Sequence, residues 1–145
     1  MTEILPQSGN SKEKKHRYPV RIYYEDTDIG GVVYYANYLK FMERARSEML
    51  RSLDIHQIEM LSFEKTGDVA FVVRHCELDF IKPATLDDQL TVETDILKIG
   101  GASIVLRQQI FNHNDVLVKA VIKIGAIDQK GSPQRLPKQI VEKLN

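Results

Sequence analysis

The chain has 145 residues, with 20 basic and 20 acidic side chains and a formal net charge of zero. That balance argues against a global electrostatic grip on nucleic acid or on a membrane surface, and no apolar run approaches the ~20 residues needed to insert across a bilayer. The single cysteine, Cys76, excludes an intrachain disulfide and a cysteine-rich zinc site, and fits a reducing compartment. With no apolar leader in MTEILPQSGNSKEKKH, the expectation is one cytoplasmic domain.

In chain order, residues 1–16 read as a loose tail and 17–145 as the folded domain. Pro6, Ser8, Gly9 and Asn10 lead into Lys12, Lys14 and Lys15 without apolar periodicity. Three lysines without interleaved aromatics suit a solvated tail better than a nucleic-acid arm. Tyr18–Glu25 alternates, with Val20, Ile22 and Tyr24 opposite Arg21, Tyr23 and Glu25, and predicts a first strand. A turn follows, with Asp26 and Asp28 ahead of Gly30-Gly31. Tyr38, Phe41, Met42, Ala45, Met49 and Leu53 then recur at helical spacing, opposite Lys40, Arg44, Ser47 and Arg51. They predict a long amphipathic helix, capped near Asn37 and ended at Leu53-Asp54.

Ile55 to Phe63 reads as a connection with a further helical turn, and Gly67-Asp68 as punctuation. Val69–Ile81 is a β-rich run closed by Lys82-Pro83. Leu90–Leu97 and Ile104–Ile110 alternate on either side of a Gly100-Gly101 hairpin turn. Residues Asn112 to Asp115 turn the chain again into the alternating stretch Val116–Ile124. Lys138–Leu144 reads as a short closing helix. One strand, a long helix and four strands in meander-like succession make an α+β domain, with the helix laid across the concave face of a five-stranded antiparallel sheet. Such a sheet has edges, so pairing of copies through an edge strand is expected.

The turn and helix carry the chemistry. A helix start supplies unpaired N–H groups and a partial positive charge. A carboxylate beside such donors can attack, or direct water at, a carbonyl whose oxygen they hold. On spacing alone, Asp28 reads equally as a turn residue or helix cap. The four histidines, His16, His56, His75 and His113, lack metal-ligand spacing. Cys76, in a predicted strand, reads as buried or inert, since adjacent His75 points to the other face.

The run Arg21-Ile22-Tyr23-Tyr24-Glu25-Asp26-Thr27-Asp28, with Gly31-Val32-Val33-Tyr34 and Tyr38, resembles the active-site signature of the 4-hydroxybenzoyl-CoA thioesterase family of hotdog-fold proteins. The continuation Glu43-Arg44-Ala45-Arg46-Ser47-Glu48-Met49-Leu50-Arg51 is most similar to its YbgC-type branch, acyl-CoA thioesterases associated with the Tol-Pal system. Similarity runs on through Val72-Val73-Arg74, Pro83-Ala84, Leu86-Asp87-Asp88 and Leu136-Pro137-Lys138. The resemblance implies a hotdog fold, a long central helix wrapped by the sheet, assembled into homodimers or homotetramers. It implies hydrolysis of acyl-CoA, or of acyl carrier protein thioesters, to the free acid, without metal or bound cofactor.

By the same resemblance, Asp28 matches the catalytic aspartate, as nucleophile or general base, and the Tyr35 amide matches the N–H that polarises the thioester carbonyl. Asp26 is expected to bond the turn backbone rather than to form an acid–base dyad with Asp28. Gly30 and Gly31 permit close approach of a thioester to the backbone. Tyr35 departs from the YbgC branch, which usually carries histidine there; the benzoyl-type enzymes carry an aromatic. A tyrosine, with an ordinary pKa of about 10, is a poor base at neutral pH, so any histidine-assisted step is absent or replaced. Glu43 is expected in a charge pair or in solvent. Arg74, Lys82 and Lys98 are candidates for the phosphates of CoA, each reading first as a surface charge. The rival enzyme, a hotdog dehydratase, needs a proton-shuttling histidine that the turn lacks. A non-catalytic acyl-CoA or carrier-protein binding module stays open because of Tyr35, and a protein scaffold is the third alternative.

Overall fold

The computed structural model describes residues 15–145. Most of the expected tail therefore lies outside the described residues, but its last two, Lys15 and His16, open the first strand. The elements are β1 (Lys15–Arg21), a single 3-10 turn (Tyr24–Asp26), α1 (Asn37–Ser52), α2 (Gln57–Met60), β2 (Ala70–Phe80), β3 (Gln89–Ile99), β4 (Ser103–Asn112), β5 (Asp115–Ile127) and α3 (Lys138–Leu144).

The first strand ends sooner than its alternation suggests. Ile22 is fully buried and still paired, donating its N–H to Asp88 O at 2.9 Å and accepting from Asp87 N at 3.0 Å. Beyond it Asp26 Oδ2 accepts from Tyr23 N at 2.8 Å and Asp26 N donates to Tyr23 O at 3.0 Å. This closed turn takes Tyr24 out of the strand and into solvent. Local side-chain bonding of an Asp thus outcompetes the ladder.

Helix α1 buries Tyr38, Phe41, Met42, Ala45, Met49 and Leu50. Leu53 becomes the C-cap and is only half-buried, because Asp54 adopts a left-handed conformation (φ 61°) and stops the helix. Its apolar face meets the sheet residues Leu90, Val92, Leu106, Ile110, Val118 and Ile122 in one core. Gln108 and Thr94 are buried polar residues within that core. Gln108 satisfies itself by donating Nε2–H to Met42 O and Thr94 Oγ1, both at 3.0 Å, and by accepting from Arg46 Nη1 at 3.0 Å.

The sheet is five-stranded, in the order β1-β3-β4-β5-β2, with antiparallel pairings. The meander holds for β3, β4 and β5. Strand β2, however, does not pair with β3; it lies at the far edge, beside β5. The reason is the segment 81–88, which leaves the sheet to bind the turn after β1: Val33 N donates to Ala84 O at 2.8 Å, and Val32 bridges to Thr85. As an edge strand β2 is exposed for most of its length, so Cys76 is exposed rather than buried. Among the described residues no helix is long and apolar enough to cross a membrane.

Candidate active site

Residues 26–34 form a loop that folds back on itself. Tyr34 N donates to Asp26 O at 2.9 Å, Thr27 bridges to Val33, and Asp28 N donates to Val32 O at 2.8 Å. The tip closes with Gly31 N donating to Asp28 O at 3.0 Å. Gly31 sits there at φ 81°, a conformation that disfavours any side chain. These ties hold the outgoing limb with Asp28 alongside the returning limb that leads to Tyr35.

Asp28 is exposed, and its Oδ1 accepts from Gly30 N at 2.9 Å. That is the local bond of an Asx turn. Its second oxygen has no partner among the described residues. A Cβ on Gly30 would come 3.2 Å from Asp28 Oδ1, so a glycine there leaves room at the carboxylate. Asp26 is spent differently. Its carboxylate is bonded to Tyr23 N, and its carbonyl accepts from both Tyr34 N and Asn37 Nδ2, each at 2.9 Å. Asp26 therefore shapes the turn backbone, as expected, and also receives the side chain of the first residue of α1.

The helix begins later than the amide of Tyr35. Asn37 N bonds Tyr34 O at 2.8 Å and Tyr38 N bonds Tyr35 O at 3.3 Å, while Ala36 is the N-cap. Asn37 is thus the first helical residue and not the cap. Tyr35 lies just ahead of the helix, and among the described residues no acceptor pairs with the N–H of Tyr35 or of Ala36. Open N–H groups at a helix start concentrate partial positive charge. The Tyr35 ring is exposed and rests between Tyr34 (centroids 5.1 Å apart) and Phe80 at the end of β2 (6.0 Å).

Two supports of this loop escape a reading of spacing. Tyr38 belongs to the buried stripe, yet its Oη also accepts from Ala84 N at 3.1 Å. Burial, first, raises the Tyr38 pKa and Asp88 adds to it, against the Ala84 hydrogen bond. Asp88 in turn bonds Thr85 N through Oδ2 at 2.9 Å and fixes the clamp. The Asp88 and Pro83-Ala84 positions were signalled only by their place in the family-like pattern. Of the cationic candidates, Lys82 pairs with Asp115 at 3.6 Å, Arg74 lies across Gly125 on the sheet, and Lys98 is exposed near the β3 irregularity. None of the three is joined to the loop by a hydrogen bond or ion pair. His75 bonds Glu77 at 3.0 Å and His56 bonds Asp54 at 2.6 Å, both at the surface.

Residues 30–119 match the family model of the thioesterase superfamily, beginning two residues after Asp28. The acyl-CoA thioesterase YbgC of Haemophilus influenzae is 44% identical over 124 residues, spanning 85% of this chain and 89% of that protein. The acyl-CoA thioester hydrolase YbgC of Escherichia coli O6:H1 is 47% identical over 127 residues, spanning 86% of this chain and 92% of its own length. Among solved structures, a probable thioesterase from Bartonella henselae superposes with a TM-score of 0.81 at 41% identity, covering 85% of this chain and 99% of that one. A match over most of the domain, in sequence and in fold alike, leaves one assignment: the chain belongs to the thioesterase superfamily, in its YbgC-type branch.

Proposed function

We propose that this protein is an acyl-CoA thioesterase, releasing a free carboxylic acid and CoA. The observation that carries the reading is the pairing, within one loop, of an exposed carboxylate having a free oxygen, Asp28, with unpaired N–H groups at Tyr35 and Ala36. The Tyr35 N–H holds the thioester oxygen as negative charge develops on it, a role in which one donor is worth about 3 kcal/mol. Asp28 either attacks the carbonyl carbon, giving a mixed anhydride that water then cleaves, or takes a proton from the attacking water. In both routes the C–S bond breaks and the thiolate leaves with a proton. The names of the YbgC relatives support the CoA thioester as substrate. An acyl carrier protein thioester offers the same reacting bond. We place the protein in the cytoplasm and as a homodimer or homotetramer.

The test is free-thiol release from short, long and aromatic acyl-CoAs. Asp28→Asn keeps an oxygen for the Gly30 N–H but is neither basic nor nucleophilic, and is expected to lose about 10²–10⁴-fold in kcat with substrate binding retained. Tyr35→Phe keeps the backbone donor and is expected to stay close to wild type. Equal release by wild type and Asp28→Asn overturns the mechanism. Tight thioester binding with no release from wild type supports the second reading, a binding module, which the non-basic Tyr35 favours.

A further inference from the structure

Arg46 lines a groove of about 230 Å³ between α1 and β2, together with Glu43, Ser47, Leu50, Phe71 and Val72. It is half-buried, and a guanidinium has five N–H donors. Among the described residues a single acceptor meets it, the neutral Gln108 Oε1 at 3.0 Å. Burial lowers its pKa, and the opposing influences are Glu43, one helical turn back, and Cys76 on β2. Neither Arg46 nor Glu43 has an ion-pair partner among the described residues. A cation withdrawn from water calls for an anion.

The second observation is the neighbouring edge. Strand β2 pairs with β5 on one side only, over residues Ala70–Phe80, and its other edge is bare. Val72, Val73, Phe80 and Ile81 are exposed along or just beyond it. A long apolar edge of this kind is normally paired or protected.

We propose that the α1 face carrying Glu43, Arg46 and Ser47, together with the bare edge of β2, is a two-fold interface with a second copy of this chain, in which each Arg46 pairs with the partner subunit's Glu43. The surface is self-complementary in charge. Glu43 and Arg46 lie side by side at i, i+3, and a two-fold axis runs the second helix antiparallel, so the same ion pair forms twice. Antiparallel pairing of β2 with its copy satisfies the bare backbone edge and continues the sheet from one subunit to the next. It also sets the Phe71–Val73 end of one β2 beside the Phe80 end of the other, where Tyr35 rests. Each loop bearing Asp28 then gains a wall from the partner.

This deepens the oligomeric reading above and is independent of the hydrolytic one, since its test reads mass and not turnover. Sedimentation velocity is run on the full chain over a wide dilution series, for wild type, Glu43→Arg, Arg46→Glu and the double exchange. Wild type is expected at twice the 16.6 kDa chain mass, or a multiple of that. Each single variant, placing like charges together, is expected to associate at least ~10-fold more weakly, and the double exchange to recover. Glu43 is exposed and unbonded within its own chain, so Glu43→Arg folds independently of the outcome for Arg46→Glu. A monomeric wild type removes the oligomeric reading altogether. An oligomer undisturbed by Glu43→Arg, or a double exchange no better than the singles, overturns this interface while leaving the oligomer standing.

Discussion

A single phenol oxygen links the helix to the clamp that holds the reactive loop. Tyr38 Oη accepts from Ala84 N at 3.1 Å, and Ala84 O accepts from Val33 N at 2.8 Å, so one residue in the crossing segment fastens both α1 and the returning limb of the loop. Tyr38 is buried and its pKa is raised, so it stays neutral throughout the working range. Tyr38→Phe removes the acceptor without changing the ring, and leaves a buried N–H unsatisfied. The expected cost is about 1–3 kcal/mol in urea unfolding, with an unchanged m-value. A variant as stable as wild type means that water or a shifted backbone replaces the bond. The sequence pattern pointed at Asp28 and Tyr35 through a signature of contiguous residues. It placed Tyr38 in the apolar stripe but said nothing about its hydroxyl, because the partner lies 46 residues away and is a backbone N–H, which no side-chain pattern encodes.

Elements were legible where local chemistry decides them, and less so at their ends. Helix α1 follows its 3.6-residue stripe, and α3 falls on Lys138–Leu144 as its spacing suggested. The C-terminus of α1 shows what periodicity omits. Leu50 takes the burial expected of Leu53, because the chain reverses at Asp54. Around that residue Lys143 Nζ donates to Asp54 O at 2.7 Å and His56 bonds Asp54 Oδ1 at 2.6 Å, tying α3 and α2 to the end of α1. The His56 hydrogen bond, and after it the charge of Lys143, hold the Asp54 carboxyl below its ordinary value. A carboxyl depressed in the folded state stabilises above its unfolded pKa, about 4, and that stabilisation fades as pH falls through the lower folded value. Asp54 is fully exposed, so the effect is small. Asp54→Asn tolerates the positive φ and removes the charge. Its melting temperature is expected to lie below that of wild type at neutral pH and to converge with it as pH drops below about 4. A gap that stays constant down to strong acid assigns the difference to geometry instead of ionisation.

At the scale of the whole molecule, alternation gave five strands but not their order, since a half-buried strand reads the same beside any neighbour. The position of β2 is decided by the segment 81–88, which is drawn off to clamp the loop and leaves β2 to close on β5. The consequence is a lopsided domain. Helix α1 lies closest to β1 and β3, while the β2 side of the same layer opens into the groove that holds Arg46. A domain with a well-covered half and a bare half gains much of its stability from whatever covers the second. If a second copy does so, unfolding releases two chains, and folded dimer is favoured by mass action. Each tenfold rise in protein concentration then adds about 1.4 kcal/mol to the stability of the dimer. For chains of this size that moves the melting temperature by about 2–4 °C. Wild type is expected to show this climb in differential scanning calorimetry at several concentrations. Arg46→Glu and Glu43→Arg, separated at the same concentrations, are expected to melt lower and to show no climb until association resumes. A wild-type melting temperature that does not depend on concentration means that the open half is stable in water by itself, and that the bare edge of β2 is tolerated without a partner.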